Sequence, residues 1–121
     1  MMSKLMDKTK DYVPHQVNFA LAYGGRAEIV DAVRKIASRV ESGKLDVKDI
    51  NEEIIDQNVY NSSQPDLVIR TSGEKRLSGF LLWQSAYSEL VFIDKYWPEF
   101  EKEDFEKCIV DYSNRDRRFG K

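Results

Sequence analysis

The chain is poor in the residues that mark specialised classes. A single cysteine, Cys108, in 121 residues rules out an internal disulfide framework and fits a reducing compartment. His15 is the single histidine; it has no partner at metal-ligand or catalytic spacing and reads as a boundary residue. No apolar run approaches the ~20 residues needed to span a bilayer. The first residues lack the basic, apolar and small-residue order of a secretory leader, so none is expected. A formal charge of −2 with 33% charged residues gives no basic excess, and therefore no footprint for nucleic acid. Repeats and low-complexity tracts are absent. One domain at most is expected at this length.

What the chain does have is concentrated in residues 65–98. Pro65 introduces an apolar run at Leu67, Val68 and Ile69, which suits a strand buried on both faces of a parallel sheet. The run stops at Arg70. A polar loop with two glycines follows, carrying Thr71, Ser72, Gly73, Glu74, Lys75, Arg76, Ser78 and Gly79. In an open α/β sheet, ligands bind outside the carboxyl ends of the strands, which is where this loop would stand. Arg70 and Arg76 bracket it, with hydroxyls between and beside them. A guanidinium supplies both fixed charge and a bidentate donor pair, the requirements of a phosphate or diphosphate site. Two surface arginines beside a core segment are the plainer reading of the same residues.

Periodicity predicts the rest. Residues 17–23, 66–71 and 89–94 are expected as at least three parallel strands, and 26–41, 46–59 and 102–114 as helices. Residues 1–12 read as a helix tail that Pro14 ends, and Phe80–Tyr87 as a short buried helix. In the first long helix Ile29, Val33, Ile36, Ala37 and Val40 form the apolar stripe, with Glu28, Asp31, Arg34, Lys35 and Arg39 on the solvated side. Gly43 is its expected stop. Asp49 and Glu52 fit a capping box for the second helix. Gly24-Gly25 at a helix start is a weak anion-site signal, because glycines also permit close packing. In the last helix Phe105, Cys108, Ile109 and Tyr112 share a stripe, with Cys108 a small core residue.

The wording of three stretches adds a second line of argument. Asp66-LVIRTSGEKRLSGFLLWQSAYSE-Leu90 followed by Trp97-Pro98-Glu99-Phe100 resembles the last large signature block of the cis-prenyltransferases, the undecaprenyl diphosphate synthase family. Val17-NFALAYGG-Arg26 resembles the preceding block, and Arg117-Arg118-Phe119-Gly120 the C-terminal Arg-x-Gly motif. The three stand in family order. Ser72 replaces a frequent glycine and Gly79 a frequent asparagine. No segment resembles the family's first block, an Asp-Gly-Asn-Gly-Arg type loop with the catalytic aspartate, so the chain looks like a C-terminal half and no catalytic residue is identified.

The resemblance implies an α/β fold, as the C-terminal half of the undecaprenyl diphosphate synthase-like architecture. It implies condensation of isopentenyl diphosphate with an allylic diphosphate to make a polyprenyl diphosphate. Arg70, Arg76 and Ser78 would bind isopentenyl diphosphate; Arg118 and Gly120 would reach a partner's site in a homodimer; Glu89 would serve a Mg2+ site. A cytoplasmic location is implied, with peripheral membrane contact through the lipid product. The chain alone is expected to be inactive. The alternative is a non-catalytic partner subunit of a heteromeric cis-prenyltransferase, although such partners usually lose the arginine–serine constellation kept here.

Overall fold

The computed structural model describes residues 2–116. Helix α1 (Met2–Thr9) opens the chain, followed by α2 (Gly25–Glu41), α3 (Glu52–Asp56), strand β1 (Leu67–Arg70), strand β2 (Glu89–Phe92) and α4 (Lys102–Ser113). Two single 3₁₀ turns lie at Val47–Asp49 and Trp97–Glu99. β1 and β2 pair in parallel, with Leu67 opposite Glu89 and Arg70 opposite Phe92. A parallel pair needs a long crossover. Residues 71–88 supply it, and with it the polar loop.

Helix α2 ends as its sequence dictates. Gly43 takes a left-handed φ of 68°, its N–H donates to Val40 O at 3.0 Å and the Lys44 N–H to Arg39 O at 2.9 Å. That double bond pattern closes the last turn on a residue with no Cβ to strain. The inward face of α2 is rotated from the expected stripe: Gly25, Glu28, Ala32 and Ile36 are buried, whereas Val33 is exposed. The polar assignment of Glu28 to solvent is therefore corrected, since it has no exposed surface at all.

Three other expectations change. Residues 17–23 form no strand; Val17, Phe19 and Leu21 are exposed, and among the described residues nothing forms a ladder with this segment. A strand exists only where a neighbour takes its backbone donors and acceptors, whatever its propensity. The expected helix over 46–59 divides into the 3₁₀ turn and α3, because Ile50 is extended and Asn51, not Asp49, is the cap. Asn51 Oδ1 accepts from the Ile54 N–H at 3.0 Å. The expected helix at Phe80–Tyr87 is a run of turns. Leu81 stands at φ +45° after Gly79 at +86°, which no right-handed helix tolerates.

The core is thin. Ala32, Ile36, Val59 and Cys108 are the buried apolar residues among those described, and every β1 and β2 residue is only half-buried. Polar groups carry much of the tertiary fastening. Trp83 Nε1 donates to Asp56 Oδ1 at 2.6 Å, the Lys95 ammonium meets Asp104 Oδ2 at 2.7 Å, and the Lys35 ammonium reaches the Asn58 carbonyl at 3.2 Å. Among the described residues no helix is long and apolar enough to cross a membrane.

Candidate functional site

The carboxyl end of β1 delivers Arg70 into the crossover, where its side chain becomes the organiser of the loop. Nη1 donates to Ser78 Oγ at 2.9 Å and also to the Arg76 carbonyl. Arg70 and Ser78 thus converge across eight residues of chain. Arg76 is present through its backbone, while its guanidinium is turned to Glu74 Oε2 at 2.5 Å. Glu74 therefore orients Arg76 and not Arg70. Behind these groups lies a cleft of about 330 Å³ lined by Val68, Ile69, Arg70, Leu77, Ser78 and Phe80. Its polar end offers a guanidinium and a hydroxyl, and its walls are aliphatic and aromatic. An anion with a small apolar tail matches that division.

The loop holds its shape in an unusual backbone. Ser72, Gly73, Ser78, Gly79 and Leu81 all have positive φ, at 82°, 72°, 49°, 86° and 45°. For Ser72, Ser78 and Leu81 this costs ~1–2 kcal/mol each, so neighbouring contacts must hold them there. Of the two departures from the family pattern, Gly79 suits this backbone and Ser72 is strained in it. Glycine at 72 and asparagine at 79 are residues that tolerate the left-handed region, as does Gly79 itself.

Segment 23–28 supplies much of that support. The Gly25 N–H donates to Gly79 O at 2.8 Å. A helix's first N–H groups lack partners inside the helix, and this one is taken by the loop carbonyl, so packing is the role that the structure gives to Gly25. Tyr23 stacks edge-on against Phe80 with ring centres 5.8 Å apart and donates its hydroxyl to Glu28 Oε2. Glu28 Oε1 accepts from the Tyr60 N–H at 2.8 Å and from Gln84 Nε2 at 3.0 Å. A fully buried carboxylate with three donors is a satisfied one. Burial, and then the bond to Glu28, push the Tyr23 phenol up to about 12. Glu28 and Gln84 were not foreseen as site-supporting residues; the clue was the pair of small residues, Gly25 and Ala32, on the helical face that Glu28 shares.

Glu89 stands apart from Arg70. The register places it beside Leu67 at the amino end of β2, three strand steps, or ~10 Å, from the level of Arg70. Its Oε2 accepts from Arg115 Nη1 at 2.9 Å, and Arg115 also holds Asp111 Oδ2 at 2.6 Å and the Leu90 carbonyl at 3.1 Å. These bonds, to Asp111 first and then Glu89, raise the Arg115 pKa above its ordinary value. Among the described residues no group of three or more acids, histidines or cysteines is placed to cage a metal. A lone carboxylate suits a magnesium ion that brings phosphate oxygens and water with it. Arg118 and Gly120 lie outside the described residues.

A guanidinium–hydroxyl pair stands over a cleft at the carboxyl end of a parallel strand, the place where open α/β sheets bind their ligands. Comparison with known proteins narrows the class. The family profile of undecaprenyl diphosphate synthase matches residues 1–120. A tritrans,polycis-undecaprenyl-diphosphate synthase (geranylgeranyl-diphosphate specific) of Methanocaldococcus jannaschii is 52% identical over 119 residues, covering 95% of this chain and 42% of that protein. One from Pyrococcus furiosus is 53% identical over 115 residues, covering 93% and 44%. Among solved structures, lavandulyl diphosphate synthase of Lavandula x intermedia, in complex with dimethylallyl diphosphate, superposes with a TM-score of 0.79 at 43% identity over 84% of this chain and 44% of its own. A probable undecaprenyl diphosphate synthase from Campylobacter jejuni gives 0.82 at 39% identity, over 99% and 54%. The chain belongs to the undecaprenyl diphosphate synthase family of prenyltransferases, and it spans less than half the length of the two curated relatives named.

Proposed function

We propose that this chain is the isopentenyl diphosphate-holding part of a cis-prenyltransferase, which joins that substrate to an allylic diphosphate. The observation that carries the reading is the convergence of Arg70 Nη1 and Ser78 Oγ, 2.9 Å apart, over the cleft behind β1. In the proposal Arg70 and Ser78 donate to the diphosphate, and Arg76 swings from Glu74 to complete the cradle. Its side chain is exposed enough to do so, at 62%. Val68, Leu77 and Phe80 exclude water from the alkyl end. Arg70 and Ser78 already stand together, so Arg76 is the donor that has to move on binding.

Glu89 is the proposed protein ligand for magnesium, which when bound would offset the diphosphate charge. Arg118 and Gly120 are proposed to reach a partner's site in a homodimer, and the assembly is proposed to be cytoplasmic. The chain by itself is expected to transfer no prenyl group, as nothing in it resembles the family's first block. Retention of Arg70, Arg76 and Ser78 argues against a non-catalytic partner subunit.

Calorimetric titration of the chain with pyrophosphate and with isopentenyl diphosphate tests the cradle. Loss of a bidentate, partly buried guanidinium contact costs ~2–5 kcal/mol by analogy with interface charge pairs, and ~1.4 kcal/mol is tenfold in affinity. Arg70→Ala is therefore expected to weaken binding well beyond tenfold. Arg34→Ala is the control, since its side chain is 76% exposed and pairs with Asp31 on the same helix. Equal small losses at Arg34, Arg70 and Arg76 would reduce the site to diffuse charge and refute the cradle.

A further inference from the structure

Three points of the segment after Ser78 are fastened to residues 23–28. Gly79 O accepts from the Gly25 N–H at 2.8 Å. Phe80 packs on the Tyr23 ring, and Gln84 donates to Glu28. Gln84 Nε2 also donates to the Asn61 carbonyl at 2.8 Å, so the carboxylate draws in a third segment. These attachments fall where the backbone is strained, at Ser78, Gly79 and Leu81. A strained run persists only when its surroundings over-determine it. Ser78 Oγ therefore stays within reach of Arg70 because of contacts made by residues that touch neither.

We propose that Gly25 and Glu28 are positioning residues for the diphosphate cradle. Gly25 sets the distance of the strained loop from α2, and Glu28 locks Tyr23 and Gln84 around it. The proposal rests on the cradle reading given above. The two adjacent glycines separate packing from composition. A Cβ on Gly25 would stand 2.3 Å from Gly79 O and 3.1 Å from Leu82 Cγ, inside the 3.4 Å at which ordinary contact begins. On Gly24 it would meet only Ala27 Cβ, at 4.0 Å, and Gly24 has an ordinary extended φ of −144°. Gly25→Ala must displace Ser78–Gly79 by about 1 Å, and misplacements of ~1 Å cost up to ~100-fold at sites that depend on alignment. Gly24→Ala displaces nothing.

The test combines pyrophosphate titration with amide hydrogen exchange over residues 76–84, well below the unfolding midpoint of each variant. Gly25→Ala and Glu28→Ala are expected to weaken pyrophosphate by ~10-fold or more and to speed exchange across that segment. Gly24→Ala should match the unaltered chain. Glu28→Gln should rescue both readouts, because its carbonyl still accepts from Tyr60 and Gln84 while the Tyr23 oxygen can accept from the amide. A residue that only stabilises the fold would lower the midpoint and leave the affinity of the folded chain unchanged. If Gly25→Ala does not fold, Tyr23→Phe decides: it keeps the ring on Phe80, removes the donor to Glu28, and should speed exchange at Leu81 and Gln84. Folded Gly25→Ala and Glu28→Ala chains with unaltered affinity and exchange would overturn the proposal, as would a Tyr23→Phe chain with unaltered exchange. An unaltered chain that binds no pyrophosphate would sink the cradle reading alone; the exchange comparison would still decide whether residues 23–28 hold the loop.

Discussion

Ser72 donates its backbone N–H to the Lys95 carbonyl at 2.7 Å while its own φ stands at +82°. Gly73, next along and also left-handed, donates to Ile93 O at 2.9 Å. Two successive left-handed residues thus turn the chain leaving β1 back onto the chain leaving β2. The turn suits glycine at both positions, and a serine occupies the first. Relief of its strain is worth ~1–2 kcal/mol, and the extra freedom of glycine in the unfolded chain returns ~0.4–1 kcal/mol. Ser72→Gly is therefore expected to stabilise the chain by up to ~1.5 kcal/mol, and Ser72→Val to destabilise it, as β-branched residues fit this region worst. Denaturant midpoints check both, and a Gly variant less stable than the parent would refute the strain assignment.

Alkaline titration should single out Tyr23. Its phenol is pushed from 10.0 up to about 12, first by burial and then by its hydrogen bond to Glu28. Below pH 10 the folded and unfolded chains both hold the proton. Between pH 10 and 12 the unfolded phenol ionises first, so stability falls across that window. Tyr60 is raised as well, chiefly by its bond to Asp31. Denaturation midpoints should be level through neutral pH and decline above pH 10, with a shallower decline in Tyr23→Phe. An identical decline in the two chains would exclude the Tyr23–Glu28 bond as its source.

At the acid end the Lys95–Asp104 pair contributes, alongside Asp31, which its bond to Tyr60 also holds below 3.8. Asp104 is held below its ordinary 3.8, mainly by the Lys95 hydrogen bond and then by the Glu101 N–H. It stands in the first turn of α4, where a negative charge also opposes the helix dipole. A depressed carboxylate contributes stability that is complete above its unfolded value and lost as pH falls through its folded one. Acid unfolding below pH 3.8 should therefore be less steep in Asp104→Asn, which should also be less stable at neutral pH. Matching acid profiles would remove the pair from the account.

The parts of this architecture legible in the sequence are those settled within a few residues of chain. The apolar run 67–69 with its abrupt end at Arg70, the glycine stop at 43, and the last helix all follow from local pattern. The loop chemistry offered hydroxyls at Thr71, Ser72 and Ser78 alike, and the resemblance selected Ser78, which the structure sets beside Arg70. What escaped is non-local. Glu28 has the helical spacing of a solvated residue, and only donors 32 and 56 positions away make it a buried one. Leu81 breaks an apolar segment that reads as helix, because its backbone follows Gly79 into the left-handed region. Residues 17–23 have the composition of a strand, and composition cannot supply a neighbour.

That same segment carries the last prediction. Val17, Phe19 and Leu21 are 75%, 63% and 73% exposed. On pairing as a strand, residues two apart take the same face, so the three would offer one apolar edge to a second chain. Such an edge is a template for pairing with another chain, and clustered apolar side chains add a favourable burial of ~25 cal/mol per Å2. The isolated chain is therefore expected to self-associate through residues 17–21, in a concentration-dependent manner. Phe19→Lys should shift it toward monomer, because a buried unpaired ammonium opposes the pairing, whereas Val33→Lys, on the exposed side of α2, should not. Light scattering at increasing concentration decides it. A monomer throughout would show that this edge attracts no second copy, and equal effects of the two lysines would assign the association to net charge and not to the strand-like edge.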